Sequence, residues 1–187
     1  MGALRASAQM ISYELALGLS LVGILLTYGT FDFKEIVNQQ QGPLHFMFFG
    51  KELVAEKLPA ILSWLPNWGI FFNPVGMILF AVCAFAESNR LPFDLPEAEG
   101  ELVAGFHTEY GGFKMLMFYI GEYGHMIVAS ALIATFYLGG YGFPGVTGES
   151  MSKFMSHFTG DADWLSLLVA IGFHVILLAK IALLLWI

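Results

Sequence analysis

Apolar residues gather in four long runs, approximately 6–28, 69–86, 113–138 and 165–187, separated by stretches where polar residues, glycine and proline concentrate. At about 1.5 Å per residue each run is long enough to cross ~30 Å of hydrocarbon. Hydrocarbon offers the backbone no hydrogen-bond partners, so the runs are expected to be helices. The pattern predicts an all-α polytopic membrane protein: one transmembrane domain over 1–187, about four spans, and a short acidic helix in the loop 87–112 between the second and third. Gly18 and Gly23 in the first run, and Gly121 and Gly124 in the third, permit close helix approach. Trp64, Trp68 and Trp164 stand at run edges, where indole rings settle at the headgroup level.

Four spans place both termini and the 87–112 loop on one side, and 30–68 and 139–163 on the other. The first of these far segments has turn signals at Gly42-Pro43 and Pro66-Asn67. Between them an apolar stretch carrying Lys51, Glu52, Glu56 and Lys57 suits the membrane surface. The second is glycine-rich and expected to be irregular. Basic residues do not orient the chain: Arg5, Arg90 and Lys114 on the terminal side face Lys34, Lys51, Lys57 and Lys153 on the other. Arg5 followed by an apolar run has the outline of a signal peptide. The run reaches Tyr28 without a small-residue cleavage site, so a span is expected there.

Composition agrees. Hydrophobic residues make up 57% of the chain and charged residues 12%, with a mean hydropathy of +0.71, values that belong to a membrane protein. The single cysteine, Cys83, gives no basis for an intramolecular disulfide or a metal cluster. A net charge of −7 argues against nucleic acid as a partner.

Against this background the ionisable residues stand out, since each one inside a span needs a partner or water. Glu14 lies in the first span. Glu122 lies in the third, with Tyr119 and His125 three positions to either side and therefore on the same helix face. Desolvation makes a buried carboxylate easier to protonate, and a group that takes and releases a proton near neutral pH suits a relay. Glu14 and Glu122 are assigned that role. Glu87 ends the second span three residues before Arg90, as a functional group or a helix-end ion pair. His174 is expected to be a hydrogen-bonded interhelical histidine, and Lys180 either a functional group or a snorkelling side chain.

The 87–112 loop holds six of the fifteen acids, Glu87, Asp94, Glu97, Glu99, Glu101 and Glu109, against Arg90 and His107. Asp94 followed by Glu97 fits a capping box, with Pro96 in the first helical turn where its missing N–H does no harm. Carboxylates near the positive end of the helix dipole are ordinary. Capping accounts for two or three of them. Glu97 and Glu101, four apart, repel each other, and crowded carboxylates in a partly dry site titrate as a coupled set. From the residues alone the chain is a polytopic subunit or transporter with a carboxylate-based proton path.

The stretch Glu87-Ser88-Asn89-Arg90-Leu91-Pro92-Phe93-Asp94-Leu95-Pro96-Glu97-Ala98-Glu99, with Glu101-Leu102-Val103-Ala104-Gly105-Phe106 and Thr108-Glu109-Tyr110, resembles the signature of a known family. That family is the H subunit of proton-translocating NADH–quinone oxidoreductase, respiratory complex I, whose mitochondrial counterpart is NADH dehydrogenase subunit 1. Gly2-Ala3-Leu4-Arg5-Ala6, Ala8-Gln9 and Ile11-Ser12-Tyr13-Glu14 resemble the start of its third transmembrane helix, and Glu122-Tyr123 matches the span after the acidic loop. The resemblance implies a subunit of the bacterial inner membrane that joins the membrane and peripheral arms. It helps form the quinone chamber, with the acidic loop facing the cytoplasm. It further implies a carboxylate path coupling quinone reduction to proton translocation, carried here by Glu14, Glu87, Asp94, Glu97, Glu99, Glu101, Glu109 and Glu122. Arg5 and Arg90 would organise these charges, and Phe106 and Tyr110 would line the chamber. Quinone is then the substrate, the other subunits and the lipid are the partners, and NADH, FMN and iron–sulfur clusters belong to other subunits; this chain binds no cofactor or metal and is not catalytic alone.

Relative to that family, the first two helices, the surface helix between them and the helices beyond Ile187 are not in the sequence, so the chain is expected to be a central fragment. Segment 31–68 is longer than the family's and has no assigned role. Three other readings stay open: a homologous membrane subunit of a hydrogenase or F420 dehydrogenase, a stand-alone proton-coupled transporter, and an inert product of a split gene.

Overall fold

In a computed structural model of the chain, residues 2–41, 47–48, 51–52, 66–88, 93, 111–143, 153–154, 156–157 and 164–186 are described. Among these residues six helices run in order α1 (Gly2–Tyr28), α2 (Phe33–Gln40), α3 (Gly69–Phe72), α4 (Pro74–Glu87), α5 (Phe113–Phe136) and α6 (Leu165–Trp186). A two-residue ribbon, β1 (Met47–Phe48) antiparallel to β2 (Lys51–Glu52), pairs Met47 with Glu52 and Phe48 with Lys51. It is too small to change the class, which is all-α and polytopic. Among the described residues three helices are long and apolar enough to cross a membrane, at Met10–Tyr28, Phe113–Phe136 and Ser166–Trp186. Their outer faces are bare: Leu15 is 65% and Leu19 72% exposed on α1. Water penalises such a contiguous apolar face, whereas hydrocarbon does not.

The second apolar run differs from the other three. It is two helices, broken at Asn73, and α4 at 14 residues covers only about 21 Å at the standard rise. Pro74 causes the break, because proline lacks the N–H and disfavours helical geometry in the residue before it. Asn73 accordingly leaves the helical region, at φ −132° and ψ 63°. Its N–H donates to the Gly69 carbonyl at 2.9 Å, closing α3. Its side-chain oxygen accepts from the Gly76 N–H at 2.9 Å, capping α4. Proline then occupies the first helical turn, where no donor is missed.

α1 and α4 pack antiparallel, and α5 runs alongside so that three chain turns meet at one end. Ile24, Tyr28, Ile36, Phe80, Phe136 and Tyr137 form the buried core there. The joint is unusually rich in polar contacts. Tyr28 donates to the Asn67 carbonyl at 3.3 Å, and the Asn67 amide donates to the Gln39 carbonyl at 2.8 Å. Gln40, on the inner face of α2, donates to the carbonyls of Thr135 and Phe136, both at 3.2 Å. Tyr137 donates to the Ser20 carbonyl at 3.3 Å, and the Ile70 N–H to the Tyr137 carbonyl at 3.1 Å. A helix leaves its last carbonyls unpaired, and here side chains from other elements fill that role.

Two glycines are required by this crowding. A side chain at Gly69 would strike the Phe136 carbonyl. Gly139, at φ 75°, adopts the left-handed geometry that ends α5, and a Cβ there would lie 2.5 Å from the Trp68 indole nitrogen. α6 joins the rest through Phe173, whose ring stands edge-on to Tyr141 with centroids 5.8 Å apart, and through Lys180 and Leu184.

Candidate functional site

Around the end of α4 the packing opens. A cavity of about 410 Å³ is lined by Met10 from α1, Glu87 and Ser88 from α4 and its cap, and residues of α5 that include Met115, Phe118, Tyr119, Glu122 and His125. α4 stops here because the chain turns at Ser88, whose N–H donates to the Ala84 carbonyl at 3.1 Å and whose hydroxyl donates to the Phe85 carbonyl at 3.2 Å. Glu87 therefore stands at the carbonyl end of a helix, where the dipole opposes negative charge.

Opposite it, His125 Nε2 lies 3.6 Å from Glu87 Oε2. That spacing is beyond a hydrogen bond but within reach of an ion pair. The His125 Nε2 atom is buried and has no hydrogen-bond partner among the described residues. Glu122 is half-buried one helical turn before His125, on the same wall of the cavity, and Tyr119 lies one turn further back. Two carboxylates, an imidazole and a phenol thus share one lining, which is the chemistry proton exchange requires.

The fate of the other expected residues differs. Glu14 is on an exposed face of α1 and is not part of the cavity wall, though Met10 one turn earlier is. The burial expected of both span carboxylates therefore holds in part for Glu122 and not for Glu14, because no described element packs over that face of α1. Its neighbour Tyr13 meets Phe93 edge-on, with centroids 6.1 Å apart. Asp94, Glu97, Glu99, Glu101, Glu109, Arg90, Phe106 and Tyr110 lie outside the described residues, as do the Arg5 side chain, the capping box and the short acidic helix. The partner found for Glu87 is His125 on another helix.

The two ionisable residues of α6 bond as follows. Against the interhelical bond expected of it, His174 among the described residues bonds within its own helix: its Nδ1 lies 2.7 Å from the Ala170 carbonyl. Lys180 has partners in the turn after α5. Its ammonium turns inward and donates to the carbonyls of Leu138 at 2.6 Å, Gly140 at 2.8 Å and Gly142 at 2.5 Å, with the Trp68 ring 5.1 Å away. The carbonyls after α5 form a pocket of partial negative charge, and a cation inside the bundle satisfies all three at once. His125 was visible in the sequence as a neighbour of Glu122 at i+3. Its pairing with Glu87 depends on how α4 and α5 cross, which no spacing in the sequence encodes.

The fold and this cavity define a class: a polytopic helical membrane protein with acid–base side chains turned to an inner wall. The family is more specific. The chain belongs to the NADH dehydrogenase family, whose model matches residues 1–187. It is 54% identical over 187 residues to the H subunit of NADH-quinone oxidoreductase from Bdellovibrio bacteriovorus, an alignment covering 100% of this chain and 47% of that protein. It is 42% identical over 146 residues to the H subunit from Flavobacterium psychrophilum, covering 78% of this chain and 36% of the relative. Against the H subunit from Thermomicrobium roseum the identity is 47% over 148 residues, covering 79% and 39%. The chain therefore spans about half or less of the length of these relatives.

Proposed function

We propose that this chain is part of the membrane subunit of a proton-translocating NADH–quinone oxidoreductase, where it contributes to the quinone chamber and to the carboxylate path that couples quinone reduction to proton translocation. The observation that carries this is the convergence of Glu87 and Glu122 on one cavity in a chain whose relatives are named as the H subunit of NADH-quinone oxidoreductase. In this role the chain binds no cofactor itself. Quinone is the substrate of the assembly, and the redox groups belong to the other subunits. The acidic 87–112 loop, with Asp94, Glu97, Glu99, Glu101 and Glu109, faces the cytoplasm of a bacterial inner membrane. Its acids continue the path toward the quinone, with Arg5 and Arg90 balancing their charge and Phe106 and Tyr110 lining the chamber.

Purification from native membranes tests the assignment: the chain is expected to co-purify with flavin- and iron–sulfur-bearing subunits, and isolation without them would sink it. The path is tested in the assembled complex. Glu97→Gln and Glu101→Gln are expected to depress quinone-coupled turnover more than assembly. Full turnover with both replaced would leave these residues as helix caps.

A further inference from the structure

The imidazole of His125 lies on the α5 wall of the cavity, facing the end of α4. Its Nε2 is buried and carries no hydrogen bond among the described residues, yet points to within 3.6 Å of Glu87 Oε2. A buried ring nitrogen without a partner is unfavourable, and a small side-chain rotation brings it into hydrogen-bond range. We propose that His125 exchanges a proton with Glu87, and that this pair, rather than carboxylates alone, handles the proton at the inner end of the cavity. The proposal rests on the cavity belonging to the proton path.

The step balances. The proton leaves Glu87 Oε2 and joins His125 Nε2, converting a carboxylic acid and a neutral imidazole into a carboxylate and an imidazolium. No net charge enters the cavity; a neutral pair becomes an ion pair. The ion pair has a reason to form. Glu87 sits at the carbonyl end of α4, where its negative charge is opposed, and an imidazolium beside it offsets that opposition. The neutral pair has a reason to return, because both groups are largely withdrawn from water and separated charge is expensive there. Histidine suits the exchange because imidazole changes charge between about pH 5 and 8.

The surroundings of the ring bear on its charge. On its own helix Glu122 and Tyr119 share the cavity with it. From α4 come Glu87 and, one turn back, Cys83, which is buried. Among the described residues α1 gives the wall Met10, with Tyr13 and Glu14 further along that helix, and none of the lining comes from α6. Glu122 is therefore the second acidic group beside the ring, one turn away. It places a further proton acceptor next to the pair, so that a proton held on His125 has two carboxylates to choose between.

The test uses the assembled complex in native membrane vesicles, measuring quinone-coupled proton translocation from about pH 5.5 to 8.5, the window in which imidazole changes charge. His125→Gln is expected to lower turnover roughly tenfold, as for loss of a positioned acid–base group, and to flatten the pH profile. Glu87→Gln is expected to do the same, and the double variant to be no worse than either single one, as for groups acting as a unit. His125→Lys keeps a cation beside Glu87 but holds its proton at neutral pH, so it is not expected to restore turnover. If His125→Gln fails to assemble, His125→Asn carries the same comparison. Turnover within about twofold of the parent, with an unchanged pH profile, would overturn the proposal, as would recovery by His125→Lys. If Glu87→Gln and Glu122→Gln depress turnover while the His125 variants do not, only the role of His125 fails. If all of them leave turnover intact, the cavity itself is off the path.

Discussion

The two ends of the helix bundle solve opposite problems. At the end where α1 finishes and α3 begins, polar side chains bond across elements: Tyr28 to Asn67, Asn67 to Gln39, Gln40 to Thr135 and Phe136, and Lys180 to three carbonyls, with the Gln39 and Gln40 side-chain oxygens buried without a partner among the described residues. At the other end, around the last turn of α4, Glu87 and His125 face each other at 3.6 Å over a cavity of about 410 Å³. Groups locked by hydrogen bonds between elements hold a fold in register but exchange protons poorly. Groups held close without a completed bond contribute less to stability. The difference teaches a division of labour: the closed end fixes where the helices stand, and the open end uses that fixed geometry to keep acid and base within reach.

Substitutions at the two ends should therefore separate stability from turnover. The largest effect is expected at the closed end. Lys180→Met removes the donor for three carbonyls, and stranded buried acceptors cost roughly 3 kcal/mol together. Thermal inactivation of the purified complex should occur at lower temperature, while turnover per assembled complex is retained. Next comes Glu122→Gln at the open end, expected to cut quinone-coupled turnover by about a hundredfold, while thermal inactivation shifts by less than about 0.5 kcal/mol equivalent. A large stability loss from Glu122→Gln, or a large turnover loss from Lys180→Met without unfolding, would dissolve the comparison.

Gly139→Ala sharpens it further. The left-handed φ of 75° disfavours any side chain by about 1–2 kcal/mol, and the new methyl meets the Trp68 indole. That ring is the one beside Lys180, so the effect should not add to that of Lys180→Met, since residues sharing a partner couple. Additive losses in thermal inactivation would mean that the indole moves aside without disturbing the lysine.

How far the sequence foretold this differs by kind of information. The class and three spans follow from hydropathy, because lipid imposes the same demand on every apolar run. The break in the second run was encoded in Asn73-Pro74, but an apolar window averages over a single proline. The motif around the acidic loop announced the family, since a long specific string carries more information than composition. Glu122 was found because an acid in a span is costly by itself. The partners of Lys180 and Glu87 were not legible: each depends on a residue far along the chain, Leu138 for one and His125 for the other. Spacing along one helix cannot report a crossing between two.

The smallest expected effect is at Tyr28, and it tests whether the closed end is a sum of local bonds or one cooperative unit. The hydroxyl is buried and donates to the Asn67 carbonyl at 3.3 Å, a long contact for an O–H donor. Tyr28→Phe keeps the ring among Ile24, Ile36 and Phe80 and removes only that bond. An isolated hydrogen bond of this kind contributes about 0.5–1.5 kcal/mol, so thermal inactivation should shift slightly and turnover should stay at the parent level. Asn67, however, also donates to the Gln39 carbonyl at the end of α2, and the adjacent Gln40 holds the end of α5. If these bonds reinforce one another, releasing Tyr28 loosens the whole chain of contacts, and the loss should exceed about 2 kcal/mol. Combining Tyr28→Phe with Gln40→Leu then decides the matter: independent bonds give additive losses, and a cooperative joint gives a double variant little worse than either single one.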